Sequence, residues 1–286
     1  MSPRSEQTGT EQTGRGRRVR TAPALDQQLT EALHRFAHSG PVLVALDFDG
    51  VLAPLVDDPG ASKMLPGSRG ALRRLVTVPR VSLALLSGRT LDDLRALAQA
   101  PPGTLLVASH GAEVEGVARA LDEPTSQLLA QVQEELTSLS AEHPGTHVEA
   151  KPTGAVLHTR RAAGGVAARA TSQALRGPAQ HEGVTAMRGK DVVELSVVDS
   201  DKGQALAELR LQTAATAVLF AGDDVTDEYA FKRLWPTMGD VGIKVGEGDT
   251  AAEHRVESCE AFSHVLNVLA DLLQDRMPPP AGSNPG

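Results

Sequence analysis

A chain of 286 residues holds one large domain or two modest ones. Its formal net charge of -8 argues against a nucleic-acid binder, and a single cysteine, Cys259, excludes an intrachain disulfide. No apolar run approaches the ~18 residues of a membrane span, so the expectation is a cytoplasmic protein, taken as a monomer, with neither membrane nor nucleic acid as partner.

Residues 1–26 are rich in Ser, Thr, Gln, Gly and Arg and are expected to form a disordered tail, because so little apolar surface cannot offset the entropy of ordering. The basic cluster at 15–20 lacks the apolar stretch of a secretory signal. His34 and His38, four apart, read as one solvated helix face. Val42–Leu46 is apolar without alternation, which predicts a strand buried on both faces. Asp47 and Asp49 follow at its carboxyl end, the rim where open α/β sheets bind ligands, and Gly50 lets the chain turn away. Two carboxylates in one crevice repel unless a proton or a cation intervenes, and a hard, oxygen-preferring ion such as Mg²⁺ is the expected remedy.

Residues 66–76 predict a helix, and Val81–Leu86 a second buried strand ending in Ser87-Gly88-Arg89. Thr90 with Asp93 resembles a capping box opening a helix over 91–98. Residues 105–108 predict a third strand ending in Ser109-His110-Gly111, residues 217–221 a fourth ending in Gly222-Asp223-Asp224, and Val241–Val245 a fifth. Four strands thus deliver Asp, Ser or His at the same end, and parallel pairing gathers them on one rim. Phe231, Leu234 and Trp235 read as packing residues of a helix after the acidic loop, and Cys259 as a quiet thiol.

Residues 113–197 break that rhythm. Leu128, Leu129, Val132, Leu136 and Leu139 share one helix face; strand-like pieces at 147–151 and 155–160 follow, then a helix at 166–175 and strands at 184–188 and 191–197 joined by Gly189-Lys190. Val148, Ala150, Val193, Leu195 and Val197 fall on one sheet face; Glu149, Lys151, His158, Arg160 and Glu194 fall on the other. The expected architecture is α/β, a Rossmann-like core with a parallel sheet at 27–112 and 198–275, carrying an inserted α+β cap at 113–197, with a second loose tail at 276–286. The polar cap face would close over a hydroxyl-rich, anionic substrate.

Asp47-Phe48-Asp49-Gly50-Val51-Leu52, Ser87-Gly88-Arg89, Lys202-Gly203 and Gly222-Asp223-Asp224-Val225-Thr226-Asp227-Glu228 occur in order, and the set resembles the four motifs of the haloacid dehalogenase superfamily of phosphatases. That resemblance implies Asp47 as nucleophile on phosphorus and Asp49 as acid/base. It also implies Mg²⁺ held by Asp47, Asp223 and the backbone carbonyl of Asp49. The usual Thr of the first motif is Val51 here. Ser87 is expected to donate to a phosphate oxygen, Lys202 to neutralise the transferring group, and Asp224 and Asp227 to support the site from behind, Asp227 by orienting Lys202 or metal-bound water. Ser109 to Glu113, Val148 to Lys151, His158-Thr159-Arg160, and Gly189 to Glu194 are similar to the trehalose-6-phosphate phosphatase family. The likeness implies a distal sugar held by His110, Glu113, Glu149, Lys151, Lys190 and Glu194, with Arg89 added to the substrate contacts. A sucrose-phosphate or mannosyl-phosphoglycerate phosphatase, a mutase and a silent sugar-phosphate-binding module are the alternatives.

Overall fold

The computed structural model describes residues 25–117 and 120–276. The basic cluster at 15–20, most of the expected N-terminal tail and the Pro-rich stretch at 278–283 lie outside the described residues. Leu25 and Asp26, counted with the tail from sequence, belong to the packed structure: Leu25 rests against the core and Asp26 caps the first helix by accepting from the Gln28 and Leu29 amides.

The elements in chain order are α1 (Gln27–His38), β1 (Val42–Leu46), α2 (Pro66–Leu75), β2 (Val81–Leu86), α3 (Leu91–Ala98), β3 (Leu105–Ala108) and β4 (Glu113–Val114). Then come α4 (Glu123–Ala141), β5 (His147–Lys151), β6 (Gly154–His158), α5 (Gly164–Arg176), β7 (Thr185–Gly189) and β8 (Val192–Ser196). The chain continues through α6 (Lys202–Gln212), β9 (Ala217–Gly222), α7 (Glu228–Phe231), β10 (Val241–Val245), β11 (His254–Val256) and α8 (Cys259–Gln274).

Seven strands form one sheet in the order β11-β10-β9-β1-β2-β3-β4, all parallel except β4. β1 is buried throughout because helices cover both faces. Val42, Val44 and Leu46 join Phe36, Leu72 and Phe262 on one side, while Leu43 and Ala45 join Leu206, Leu209 and Phe231 on the other. The strand order reverses on either side of β1, so β1 and β9 frame the crevice at the topological switch point.

A second, antiparallel sheet runs β5-β6-β8-β7 and has its own apolar core, in which Val132 and Leu136 of α4 and Ala170 and Ala174 of α5 meet Ala155, Leu157, Val193 and Leu195. Four details differ from the sequence expectation. Glu113 and Val114, expected to open the cap, pair with β3 in the main sheet. The β7–β8 turn is Lys190-Asp191 rather than Gly189-Lys190, because Gly189 still pairs with Val192 and Asp191 takes the left-handed conformation at φ +60°. Ala150, on the edge strand, is exposed, whereas Lys151 on the polar face is 7% exposed, because that face lies against the seven-stranded sheet's loops. Trp235 is also 57% exposed, with the Arg210 guanidinium 4.7 Å over its ring, while Phe231 and Leu234 are buried. His34 and His38 lie on the exposed face of α1, as the spacing predicts.

Candidate active site

Asp47 leaves β1 at its carboxyl end, 5% exposed, with Oδ1 accepting from the Phe48 amide at 2.7 Å. The chain turns at Gly50 with φ +73°, and a Cβ there would fall 1.9 Å from Asp223 Oδ2. Only glycine lets the loop after β1 approach the loop after β9 so closely. Asp47, Asp223 and Asp227 each place a carboxylate oxygen within 4.8 Å of the others.

Lys202, at the first turn of α6 and 2% exposed, ties this group together. Its Nζ lies 3.0 Å from Asp47 Oδ2 and 2.7 Å from Asp227 Oδ1. Asp227 Oδ2 accepts from the Asp223 and Asp224 amides at 2.8 and 2.9 Å. Asp227, 0% exposed, is thus held by Lys202 and two amides, while Asp47, with one amide and Lys202 as partners, and Asp223 lie nearer the open rim. Burial pushes the Asp47 carboxyl well above its ordinary range; Lys202 pulls it down, and the nearby Asp227 and Asp223 push it up. Burial raises Asp223 to about 7, with Asp227 adding to the rise. Lys202 is held protonated above its ordinary value: burial opposes this, but Asp227 and Asp47 outweigh it. A buried and a half-buried carboxylate, both raised and offering oxygen donors only, fit a hard divalent cation.

Asp49 points elsewhere. Arg89 grips it with two bonds, Nε to Oδ2 at 2.6 Å and Nη2 to Oδ1 at 2.7 Å, and Ser62 Oγ donates to Oδ1 at 3.0 Å. The Asp49 carboxylate is thus engaged by Arg89 and Ser62 and lies outside the group of Asp47, Asp223 and Asp227, which leaves its backbone carbonyl as the group the resemblance implied. Arg89, expected among the substrate contacts, is instead directed onto Asp49 and the Pro59 carbonyl, because a bidentate guanidinium–carboxylate pair is available beside it. Ser87, at the end of β2 and 2% exposed, accepts from the Arg89 amide at 3.2 Å.

The polar face of the four-stranded sheet meets this rim. Lys151 Nζ donates at 2.8 Å to both the Gly88 carbonyl and Glu194 Oε1, and Glu194 Oε2 lies 3.4 Å from His110 Nε2. His110 sits in the left-handed region at φ +55°, its ring so close over Gly88 that a Cβ there would lie 2.5 Å away. Its Nδ1 is buried without a hydrogen-bond partner among the described residues. Glu149 Oε2 accepts from His158 Nε2 at 2.9 Å, and that ring stacks on His147 at 4.4 Å. A cavity of about 650 Å³ opens between the two sheets, with Asp57 and Pro59 on one wall and Glu149, His158, Arg160 and Lys190 on the other. Arg160 reaches across it to Asp57 at 2.6 Å.

Asp47, Asp49, Ser87, Lys202, Asp223 and Asp227 therefore share one rim; Lys151, Glu194 and His110 lie at the junction with the second sheet; Glu149 and Lys190 line the cavity. Glu113 is turned onto Ser109 Oγ at 2.6 Å, and Asp224 is exposed, accepting from the Val225 amide. Sequence reasoning missed Ser62 and Lys244. Lys244 is 4% exposed and donates to the Asp223 carbonyl at 2.6 Å. A lysine inside the apolar strand Val241–Val245 was the signal for it; Ser62, in a loop, gave none.

Residues 45–261 match the sequence profile described as Trehalose-phosphatase. The chain belongs to the trehalose-phosphatase family. The trehalose-phosphate phosphatase of Mycobacterium avium (strain 104) is 34% identical over a stretch covering 90% of this chain and 69% of that one. The Mycobacterium ulcerans (strain Agy99) protein of the same description is 32% identical, covering 90% and 70%. Among solved structures, the C-terminal domain of C. albicans trehalose-6-phosphate phosphatase superposes with a TM-score of 0.73 at 22% identity, covering 88% of this chain and 98% of that one. A haloacid dehalogenase-like hydrolase from B. subtilis superposes at 0.56 and 14% identity, covering 79% and 98%. The family's α/β fold with a second sheet is therefore this chain's fold, and the loops after β1 and β9 hold the acidic rim described above.

Proposed function

We propose that this trehalose-phosphatase family member hydrolyses trehalose 6-phosphate to trehalose and phosphate through a phosphoryl group carried on Asp47. The observation that carries the reading is the buried Lys202 bridging Asp47 and Asp227 beside Asp223. A side chain left to attack phosphorus needs a fixed direction and a nearby positive charge, and Lys202 gives Asp47 both.

Asp47 forms a bond to phosphorus as the bond to the sugar oxygen breaks, and Asp49 gives that oxygen its proton. Asp49 then takes a proton from water, which attacks phosphorus and releases phosphate, restoring Asp47. Ser87 donates its hydroxyl to a non-bridging oxygen, while Asp227 fixes the Lys202 ammonium and Lys244 fixes the Asp223 main chain. We assign Mg²⁺ to Asp47, Asp223 and the Asp49 carbonyl, where it supplies charge neutralisation to the transferring group. Oxygen-only donors and the raised Asp47 and Asp223 carboxyls support that choice.

Glu149, Lys151, Lys190, Glu194, His110 and Glu113 are assigned to the distal sugar. Carboxylates and ammonium groups each bind two hydroxyls, so a non-reacting ring can hold the two sheets closed over the phosphate and exclude water. The proposal places the reaction in the cytoplasm, where sugar phosphates and Mg²⁺ coexist.

The test is a phosphate-release panel over trehalose 6-phosphate, sucrose phosphate, mannosyl-phosphoglycerate and an aryl phosphate, with and without Mg²⁺. The expected result is the highest kcat/KM on trehalose 6-phosphate, dependent on the ion; equal or better release from another ester would overturn the substrate assignment.

A further inference from the structure

Asp49 needs a defined proton position. An ionised carboxylate has about four acceptor sites, two on each oxygen. Three are filled here: Arg89 Nη2 and Ser62 Oγ occupy Oδ1, and Arg89 Nε occupies Oδ2. The remaining site is on Oδ2. Without the Ser62 hydroxyl, Oδ1 would keep a free site too, and a proton could reside on either oxygen.

We propose that Ser62 is a positioning residue for the phosphatase reaction: its hydroxyl closes Oδ1 of Asp49 and so confines proton transfer to Oδ2. The inference rests on the reading of Asp49 as acid/base. Ser62 suits the task because it is 1% exposed, its amide is held by the Pro59 carbonyl at 3.3 Å, and its Oγ donates to no other group among the described residues. The Arg89 guanidinium also donates to Pro59, so the turn at Pro59–Ala61 locks donor and carboxylate in one frame. In the first step the Oδ2 proton passes to the bridging ester oxygen as the P–O bond breaks toward that oxygen and Asp47 bonds to phosphorus. In the second, Oδ2 takes a proton from the attacking water as the Asp47–phosphorus bond breaks.

The contribution is read by the leaving group. A sugar alkoxide must be protonated as it departs; an aryl oxide of low basicity departs without help. The value of kcat/KM covers binding through the first irreversible step and is blind to the later hydrolysis of the Asp47–phosphorus bond, so it separates the two cases. Ser62→Ala is expected to lower kcat/KM on trehalose 6-phosphate about tenfold and on an aryl phosphate less than about twofold, part of the span that general acid catalysis supplies. Ser62→Thr, which keeps the hydroxyl, restores the sugar-ester value. Ser62→Cys, close in size but a weak donor, gives the same split as alanine and guards against misfolding of either variant. Placed in an Asp49→Asn background, Ser62→Ala adds no further loss.

Equal losses on both esters, an additive loss in the Asp49→Asn background, or no loss at all would each overturn the proposal. If Asp49→Asn itself left the sugar-ester kcat/KM intact, the acid/base reading would fall and the inference with it. If Asp49→Asn were crippled and Ser62→Ala silent on the sugar ester, the inference alone would fall.

Discussion

Carboxylate oxygens of Asp47 and Asp223 lie within 4.8 Å of one another because β1 and β9 are adjacent parallel strands that end at the same height, with Leu46 opposite Ala221. Burial raises both carboxyls, so the pair is stressed without a cation and relieved by one. Adding Mg²⁺ to metal-stripped protein is therefore expected to raise the thermal midpoint, by the equivalent of about 2.7 kcal/mol at a hundredfold excess over Kd. Asp223→Asn is expected to abolish that rise. Differential scanning fluorimetry against Mg²⁺ concentration measures both.

Lys202 and Asp227 are 2% and 0% exposed and 2.7 Å apart, so removing one leaves a buried charge unmatched. Lys202→Met is predicted to cost about 3–5 kcal/mol of stability as well as activity. Urea denaturation followed by far-ultraviolet circular dichroism checks the first effect separately from the second.

Glu194 carries the pH dependence of the junction between the sheets. Burial pushes its carboxyl up, but the His110 hydrogen bond and the charges of Lys151 and His110 outweigh burial and hold it at about 2, against an ordinary 4.5. The Lys151 ammonium, at 2.8 Å, is the closer partner. Because the folded value lies below the unfolded one, the stabilisation is fully present above about pH 4.5 and is lost as pH falls toward about 2. Its size is at most about 3 kcal/mol. Unfolding midpoints between those pH values should fall more steeply for the natural protein than for Glu194→Gln.

Glu149 lines the cavity but touches no residue of the acidic rim, so its effect should follow the substrate's second ring. Glu149→Ala is predicted to lower kcat/KM on trehalose 6-phosphate by about tenfold or more and to leave an aryl phosphate nearly unchanged, since remote binding is used only by substrates that possess the remote group. Paired assays on the two esters measure the ratio.

The strands of the main sheet were legible because burial on both faces leaves an unbroken apolar run, as in Val42–Leu46 and Val81–Leu86. The short β4 and β11 were not, since strands of two and three residues carry no period. α8 packs eight buried residues against the core and was left unread, although its Ser258 cap is a usable sign. In the site, convergence of the strand ends followed from parallel pairing. What the sequence did not disclose were contacts decided by side-chain direction: Arg89 turning onto Asp49, Ser62 joining it, and Lys151 crossing to Gly88. They join residues 13, 40 and 63 positions apart and leave no spacing pattern. The burial of Lys151 has the same origin, since the face that alternation marks as polar is covered by a second sheet's loops; Ala150 is exposed because β5 is an edge strand.

The central claim is that Asp47 attacks phosphorus. Buried Cys259 is no rival nucleophile, since burial pushes its thiol up to about 11 and its Sγ donates to the Gly50 carbonyl. The direct measurement is phosphate release from trehalose 6-phosphate by Asp47→Asn at saturating Mg²⁺ and substrate, with circular dichroism confirming the fold. A fall of roughly three orders of magnitude or more is predicted; release at the natural rate would contradict the account.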